Sequence, residues 1–395
     1  MEKDGGIIET LLFRGYQARL FSFSALDKYL GLGSLPFSFA WTDAGLGELA
    51  HYADELNFPG ADLADASLDS GGRRYYFRCG DSCESAVNPS YSLLSLVQDL
   101  RNKRFLDIEG IYPDIRLLRK NESAKAPDDS EKLAWWENLD SGTGCLQAIM
   151  DGALIVARYG STGLPPRDFI ETLGSAFDNE SPPGAEKQQA LLIGLMCSSR
   201  PDRGLEFLKS SGFLQKFWPE IALLDNADHA KEFHPEGNAW KHTLQTFEHR
   251  KQNSSGVYDL RLSLSLLLHD TGKPIAEDSG SHRFDHHAEL GAATARRFME
   301  RLNFDSAFIE DVFYLVKNHM LPAALARLSP AKTGDIMNSP LFPSLMELYR
   351  CDESSSFKGL DGFYRNSAAY QTYLRNMRNP YRSVSGKILG RGRRR

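Results

Sequence analysis

Nine of the ten histidines in this 395-residue chain fall between His229 and His319, and only His51 lies outside. Even spacing would put about two in such a window. Concentrated imidazoles point to metal binding or acid–base chemistry, because histidine is basic and able to ligate near neutral pH. The residues around them constrain the fold further. From Asp285 an apolar stripe runs His287, Leu290, Gly291, Thr294, Ala295, Phe298, Met299 and Leu302. This is the i, i+3, i+4, i+7 spacing of one helix face, with His287 at its head. A second stripe, Phe308, Val312, Leu315, Val316 and His319, carries its histidine at the C-terminal end. A third reads Leu345, Leu348, Tyr349 and Asp352, and the pair His269-Asp270 closes an apolar stretch. Core-facing stripes that each end on a residue able to hold a metal predict a metal centre built where helix ends meet.

The stretch Leu260–Leu268 is ambiguous when taken alone. Its leucines at 260, 262, 264 and 266 alternate with period two, as in a buried strand. Leucine richness and helical neighbours favour a helix buried on most sides.

Upstream, Phe37–Trp41 and Arg74–Arg78 are rich in aromatic residues and read as strands, while Ser92–Lys103 reads as a helix. Residues 1–120 are therefore expected to form an α/β domain. The polar run from Asn121 to Glu131 predicts a linker or surface loop, and from about Gly144 the pattern is helical nearly throughout. With 42% hydrophobic and 25% charged residues, the composition is that of a globular chain and excludes a disordered one. A net charge of −6 argues against a protein that binds nucleic acid by overall charge. The segment from Arg375 to Arg395 holds eight Arg and Lys and no acid, which reads as a solvated tail or an RNA-contacting arm.

No apolar run approaches the roughly 18–20 residues of a membrane span. Acids at Glu2 and Asp4 precede the first short apolar patch, so no secretory leader is expected. Cys79, Cys83, Cys145, Cys197 and Cys351 form no zinc-like pair of pairs and read as reduced thiols of a cytoplasmic protein.

Three ordered motifs carry a resemblance. His234-Pro-Glu-Gly-Asn-Ala-Trp-Lys-His242-Thr, Leu-Leu-His269-Asp270-Thr-Gly-Lys273-Pro and Phe-Asp-His-His287-Ala-Glu-Leu-Gly291-Ala resemble the HD domain. They are closest to the HD domain attached to bacterial CCA-adding tRNA nucleotidyltransferases and poly(A) polymerases. The resemblance implies a degenerate nucleotidyltransferase-like α/β (α+β) head over 1–120 and an all-α neck over 121–228. An all-α HD domain over 229–355 and an extension with a basic tail over 356–395 complete the expected order. It implies His242, His269, Asp270 and Asp352 as core metal ligands, with His287 and His319 serving a second metal or the phosphate. His242 rests on the resemblance alone, since it lies off the stripe Trp240–Leu244–Phe247.

This donor set suits a divalent ion such as Mn, Fe, Co, Ni or Zn, and Mg less well because Mg prefers oxygen. Asp270 would position the nucleophile, and Lys273 could neutralise a phosphate oxygen. The implied activity is hydrolysis of a nucleotide or an RNA-derived phosphoester. RNA or tRNA contact through the head and the tail is also expected.

Further upstream the resemblance weakens in an informative way. Gly15 to Gly31 aligns without gaps on the family's phosphate-cradling segment, but the two glycines fall on Ser22 and Phe23 and the arginine on Leu26. The two metal-binding aspartates of the transferase motif become Phe37 and Phe39, and a further aspartate becomes Arg104. The helix around Leu146–Ala153 keeps none of the family's three arginines. Two-metal nucleotide transfer needs carboxylates, so the head is expected to keep the fold and lack the chemistry. The rival readings are an RNA-binding protein with a structural HD domain, and an active CCA-adding enzyme.

Overall fold

The computed structural model describes residues 6–83, 88–123, 133–159, 163–177, 180–227, 237–276, 284–356 and 359–389. Most of the polar run 121–131, His234 and the terminal arginines from 391 onward lie outside the described residues. The chain divides into two compact units, Met1–Phe217 with Gln252–Tyr258, and Trp218–Lys251 with Asp259–Arg395.

The first unit is built on six strands: β1 (Ala18–Phe21), β2 (Phe37–Thr42), β3 (Ala66–Ser70), β4 (Arg73–Cys79), β5 (Val97–Asp99) and β6 (Phe105–Leu106). Their order is β3-β4-β2-β1-β5-β6, with β2 and β4 parallel and the other pairs antiparallel. The aromatic run Phe37–Thr42 becomes an interior strand because five of its six residues are buried, so both of its faces are covered. Leu20, Ala40, Leu68 and Phe77 of the sheet share one core with Ile7, Leu11 and Leu49 of two flanking helices.

The helix expected over Ser92–Lys103 is not formed. Ser92–Leu94 makes a single 3-10 turn, and Val97–Asp99 then pairs with β1 through Arg19, Leu20 and Phe21. Leu93, Leu94, Leu96 and Val97 are all buried. Their spacing would also suit one helix face, so the local pattern does not choose; pairing with β1 decides, and the strand ladder satisfies the backbone.

Helices Cys145–Arg158, Arg167–Ala176, Ala185–Met196 and Pro201–Ser210 complete this unit. Glu180 caps the first of them, accepting the backbone N–H of Cys145 at 2.6 Å. At the other end Arg158 donates to Asp27 at 2.6 Å, with both side chains buried, and Tyr159 donates to the same carboxylate at 3.0 Å. That pair ties the helical part to the helix Ser22–Leu30 beside the sheet.

The second unit is helical throughout its named elements. Leu260–Leu268 is a helix with Leu262 to Leu268 buried, capped by Asp259, which accepts from the Leu262 N–H at 2.9 Å. Ser263 and Ser265 explain the strand-like alternation. Their hydroxyls donate to the carbonyls of Asp259 and Arg261, four residues back, at 2.7 and 2.8 Å. A serine satisfied by its own helix can be buried between leucines without a polar face.

As far as Leu389 the C-terminal stretch is largely exposed and is held by local hydrogen bonds. Arg375 and Arg378 belong to the helix Asp361–Arg378, and Ser383 and Tyr381 are bonded back to Lys387 and Leu389. The helix is held by its other face. Tyr370 packs on Phe342 with ring centroids 4.5 Å apart, and buried Asn366 donates to the carbonyls of Ala323 and Gly362.

Candidate metal centre

Five helices of the second unit bring the predicted residues to one place. His242 lies in Ala239–Thr246, a helix capped by Asn238, which accepts from the Lys241 N–H at 3.0 Å. His269 is the C-cap of Leu260–Leu268, with Asp270 next to it. His287 opens the helix His287–Arg301, His319 is the C-cap of Ser306–Asn318, and Asp352 sits near the end of Phe342–Ser354. Helix ends converge here because each apolar stripe drives its helix into the same core and carries the polar residue at its end in with it.

Two glycines set the closest approach. A Cβ on Gly272 would lie 1.9 Å from the His287 carbonyl oxygen, and one on Gly291 would lie 3.1 Å from the Gly272 nitrogen. The turn after Asp270 therefore rests directly on the backbone of the His287 helix.

The potential ligand atoms form two groups, His242, His269 and Asp352, and Asp270, His287 and His319, each within 4.8 Å. His242, His269, Asp270 and His319 are almost fully buried, while His287 and Asp352 keep some exposure. Asp270 faces both groups. Its Oδ2 lies 3.3 Å from His269 Nε2, and its Oδ1 lies 3.9 Å from His287 Nε2. Lys273 Nζ lies 2.6 Å from Asp270 Oδ2, on the carboxylate itself.

The tautomers follow from the hydrogen bonds. His269, His287 and His319 each place Nδ1 at 2.7–2.8 Å from the carbonyl three residues back, on Leu266, Phe284 and Val316. A carbonyl can only accept, so each Nδ1 carries the proton. For His242 the partner is Ser355 Oγ at 3.2 Å; that hydroxyl donates to the Asp352 carbonyl at 2.6 Å, so it accepts from Nδ1. All four rings thus turn a lone pair on Nε2 inward. His242 Nε2 faces Asp352 Oδ1 at 2.9 Å, and among the described residues His269 Nε2 has no hydrogen-bond partner. Four inward lone pairs beside two carboxylates fit a bound divalent ion, since ligating histidines characteristically spend the other nitrogen on an oxygen.

Charge and burial agree. Burial opposes ionisation of Asp270, but His269 and Lys273 outweigh it and hold the carboxyl well below the usual range. Burial likewise acts against Asp352, and the adjacent His242 ring outweighs it and holds the carboxyl below the usual range. Burial lowers the pKa of His287 and pushes His319 down to about 3, so both rings are neutral and able to ligate at pH 7.

The structure differs from the expected face of the His242 helix. Ala239, Trp240, His242, Thr243, Thr246 and Phe247 are buried, whereas Leu244 is only half-buried. The buried face contains threonines and a histidine, so apolar periodicity misplaced it. Ser355 was also missed, although its position three residues after Asp352 puts both on one helix face. Exposed His286 stands outside the cluster, as the residue that starts the helix with φ at +61°.

Residues 240–347 match the family profile described as the HD domain. The chain is 34% identical over 145 residues to the CC-adding tRNA nucleotidyltransferase of Thermus thermophilus, covering 36% of this chain and 33% of that protein. It is 31% identical over 150 residues to the Multifunctional CCA protein of Halorhodospira halophila, covering 38% and 35%. The matched segments thus span about a third of the length of these relatives. Among solved structures, the Bacillus stearothermophilus CCA-adding enzyme in complex with CTP aligns with 94% of this chain and 81% of its own, at 13% identity and a TM-score of 0.49. With the helix-end cluster in place, residues 240–347 match the HD domain, and the chain is similar over about a third of its length to the CC-adding tRNA nucleotidyltransferase and the Multifunctional CCA protein.

Proposed function

We propose that this protein is a metal-dependent HD-type phosphohydrolase of the cytoplasm, acting on a nucleotide or an RNA-derived phosphoester. On this reading the head spans 1–120, the neck 121–228, the hydrolase domain 229–355 and the extension 356–395. The observation that carries the reading is the inward Nε2 of all four histidines around Asp270 and Asp352. His242, His269, Asp270 and Asp352 would hold one divalent ion, and Asp270, His287 and His319 a second, with Asp270 shared. A bound divalent ion supplies water of lowered pKa and polarises a phosphoryl oxygen. Asp270 is assigned to orienting the attacking water. Lys273 keeps Asp270 ionised, and its ammonium is the cation nearest that carboxylate for a phosphate oxygen. Hydrolysis of a panel of phosphomonoesters and phosphodiesters across several divalent metals, with chelator and His269→Ala controls, tests the assignment. No chelator-sensitive hydrolysis from the full panel sinks it.

The names of the relatives favour a second reading, in which this chain adds nucleotides to tRNA. The local chemistry weighs against it. Phe37 and Phe39 pack against each other and against Tyr76, with ring centroids 5.5–5.8 Å apart. Asp27 is engaged by Arg158, and Asp43 accepts from the Gln17 N–H at 2.6 Å. Neither is placed to replace the lost pair, and phenylalanine cannot ligate an ion. We therefore read the head as catalytically silent, with RNA contact through it and through the basic C-terminal segment.

A further inference from the structure

Residues 362–395 carry nine of the chain's 46 Arg and Lys and none of its 52 Asp and Glu. The chain as a whole is acidic, so this positive stretch is a local feature that favours an anionic partner. The described residues of the stretch end in a closed hairpin over 381–389. Arg382 pairs with Ile388, the Leu389 N–H donates to the Tyr381 carbonyl at 2.8 Å, and the Ser383 N–H donates to the Lys387 carbonyl at 2.8 Å. Asn376 of the helix Asp361–Arg378 donates to the Val384 carbonyl at 3.3 Å, which holds the turn of the hairpin against the helix.

The hairpin turns its apolar side chains outward. Tyr381, Val384, Ile388 and Leu389 are exposed, Ile388 to 77%, together with Arg382 and Lys387. Arg375 and Arg378 are exposed one turn apart at the end of the helix that leads into it. The bonds these cations make leave their charge in place, since Arg375 donates to the Thr372 hydroxyl and Arg382 to the Gly386 carbonyl. Four large apolar side chains left in water within nine residues mark a contact surface.

Cations interleaved with aliphatic side chains select among anionic partners. RNA offers phosphates to the cations and flat bases to Tyr381, but no surface that takes in Val384, Ile388 and Leu389. A bilayer with anionic headgroups offers both. Its headgroups meet Arg and Lys, the acyl boundary beneath takes aliphatic side chains, and tyrosine sits between the two. We propose that the hairpin 381–389 and the adjoining end of the helix Asp361–Arg378 form a docking surface for an anionic lipid bilayer, bound from one side. The proposal does not depend on the hydrolase reading, and it gives the aliphatic side chains a role that RNA contact does not.

The test is flotation of the full-length protein with vesicles of phosphatidylcholine alone and of phosphatidylcholine with about 30% phosphatidylglycerol. At about 0.1 M salt the protein is expected to partition at least about tenfold more strongly onto the anionic vesicles, and to lose most of that preference at about 1 M salt. Ile388→Ser combined with Leu389→Ser should lower partitioning about tenfold, while retention of single-stranded RNA and any phosphoester hydrolysis stay unchanged. Val384→Ser provides an independent variant if the double substitution fails to melt like wild type. Equal binding to neutral and anionic vesicles, or undiminished binding in the serine variants, overturns the proposal. Two further results overturn it by assigning the surface elsewhere. One is RNA retention that falls with the serine substitutions while vesicles are not bound, and the other is a dimer in light scattering that the same substitutions dissociate.

Discussion

His287 Nε2 lies 3.2 Å from His319 Nε2, and each ring gives its Nδ1 proton to the carbonyl three residues behind it. Burial keeps both rings neutral near pH 7. Two nitrogen lone pairs at that distance repel unless a cation sits at them, which is the position a metal ion would take on the proposed reading. The expectations that follow start from this pair and its neighbours.

Replacing Asp270 with Ala removes the one carboxylate that faces both ligand groups. Phosphoester hydrolysis should be lost and bound metal should fall, measured by elemental analysis, while the helical circular-dichroism signal stays near wild type. Equal activity in the variant would show that the cluster is not the reactive centre.

His286 and His287 are adjacent but face differently, one exposed and the other turned towards His319. His287→Ala should lower kcat/KM by about 100-fold or more, whereas His286→Ala should change it only about two- to threefold. A reversed ranking in steady-state rates contradicts the geometry.

Ser355 touches no metal position but fixes His242 through Nδ1. Ser355→Ala should weaken metal affinity about 10- to 100-fold, by competition with a chromophoric chelator, without changing the fold. An unchanged affinity would mean that His242 does not ligate.

The site should also be sensitive to acid. The folded pKa of His319 is pushed down to about 3, below an ordinary value of 6.5. The unfolded chain therefore binds more protons between those values, and stability rises with pH across that window. The contribution is complete above about pH 6.5 and is lost as pH falls towards 3. Thermal midpoints of metal-free protein should decline from pH 7 to pH 5, and His319→Gln should flatten the decline. A profile unaltered by that substitution would refute the assignment.

Gly272 leaves no room for a side chain against the His287 carbonyl. Gly272→Ala should cost about 1–3 kcal/mol in chemical denaturation and lower metal affinity as well, because relief requires moving the His287 helix away from Asp270. Wild-type stability and affinity together would show that the turn has room to shift.

Restoring Phe37→Asp and Phe39→Asp should not produce nucleotide incorporation into tRNA 3′ ends, since Ser22, Phe23 and Arg104 are separate departures from the transferase pattern. Incorporation of labelled CTP or ATP by the unaltered protein, free of host enzyme, would establish the second reading instead.

Much of the helical half was legible in the order of residues alone. Side chains at helical spacing must share a face, so the stripes ending in His287, His319 and Asp352 announced both their helices and their inward ends. Three things escaped this reasoning for definite reasons. The Ser92–Lys103 segment became a strand because pairing with Ala18–Phe21, some eighty residues earlier, decided it, and no local pattern encodes a distant partner. The His242 helix buries threonines, so its inner face carries no apolar signature. A cavity of about 520 Å³ in the first unit draws on strands, loops and three α-helices far apart in the chain. The sequence by itself determined which residues could ligate and which helices would carry them, because both depend on side-chain type and short-range spacing. Only the tertiary structure decided that their Nε2 atoms meet around Asp270, because that depends on how the helices pack, down to the contact of Gly272 with Gly291.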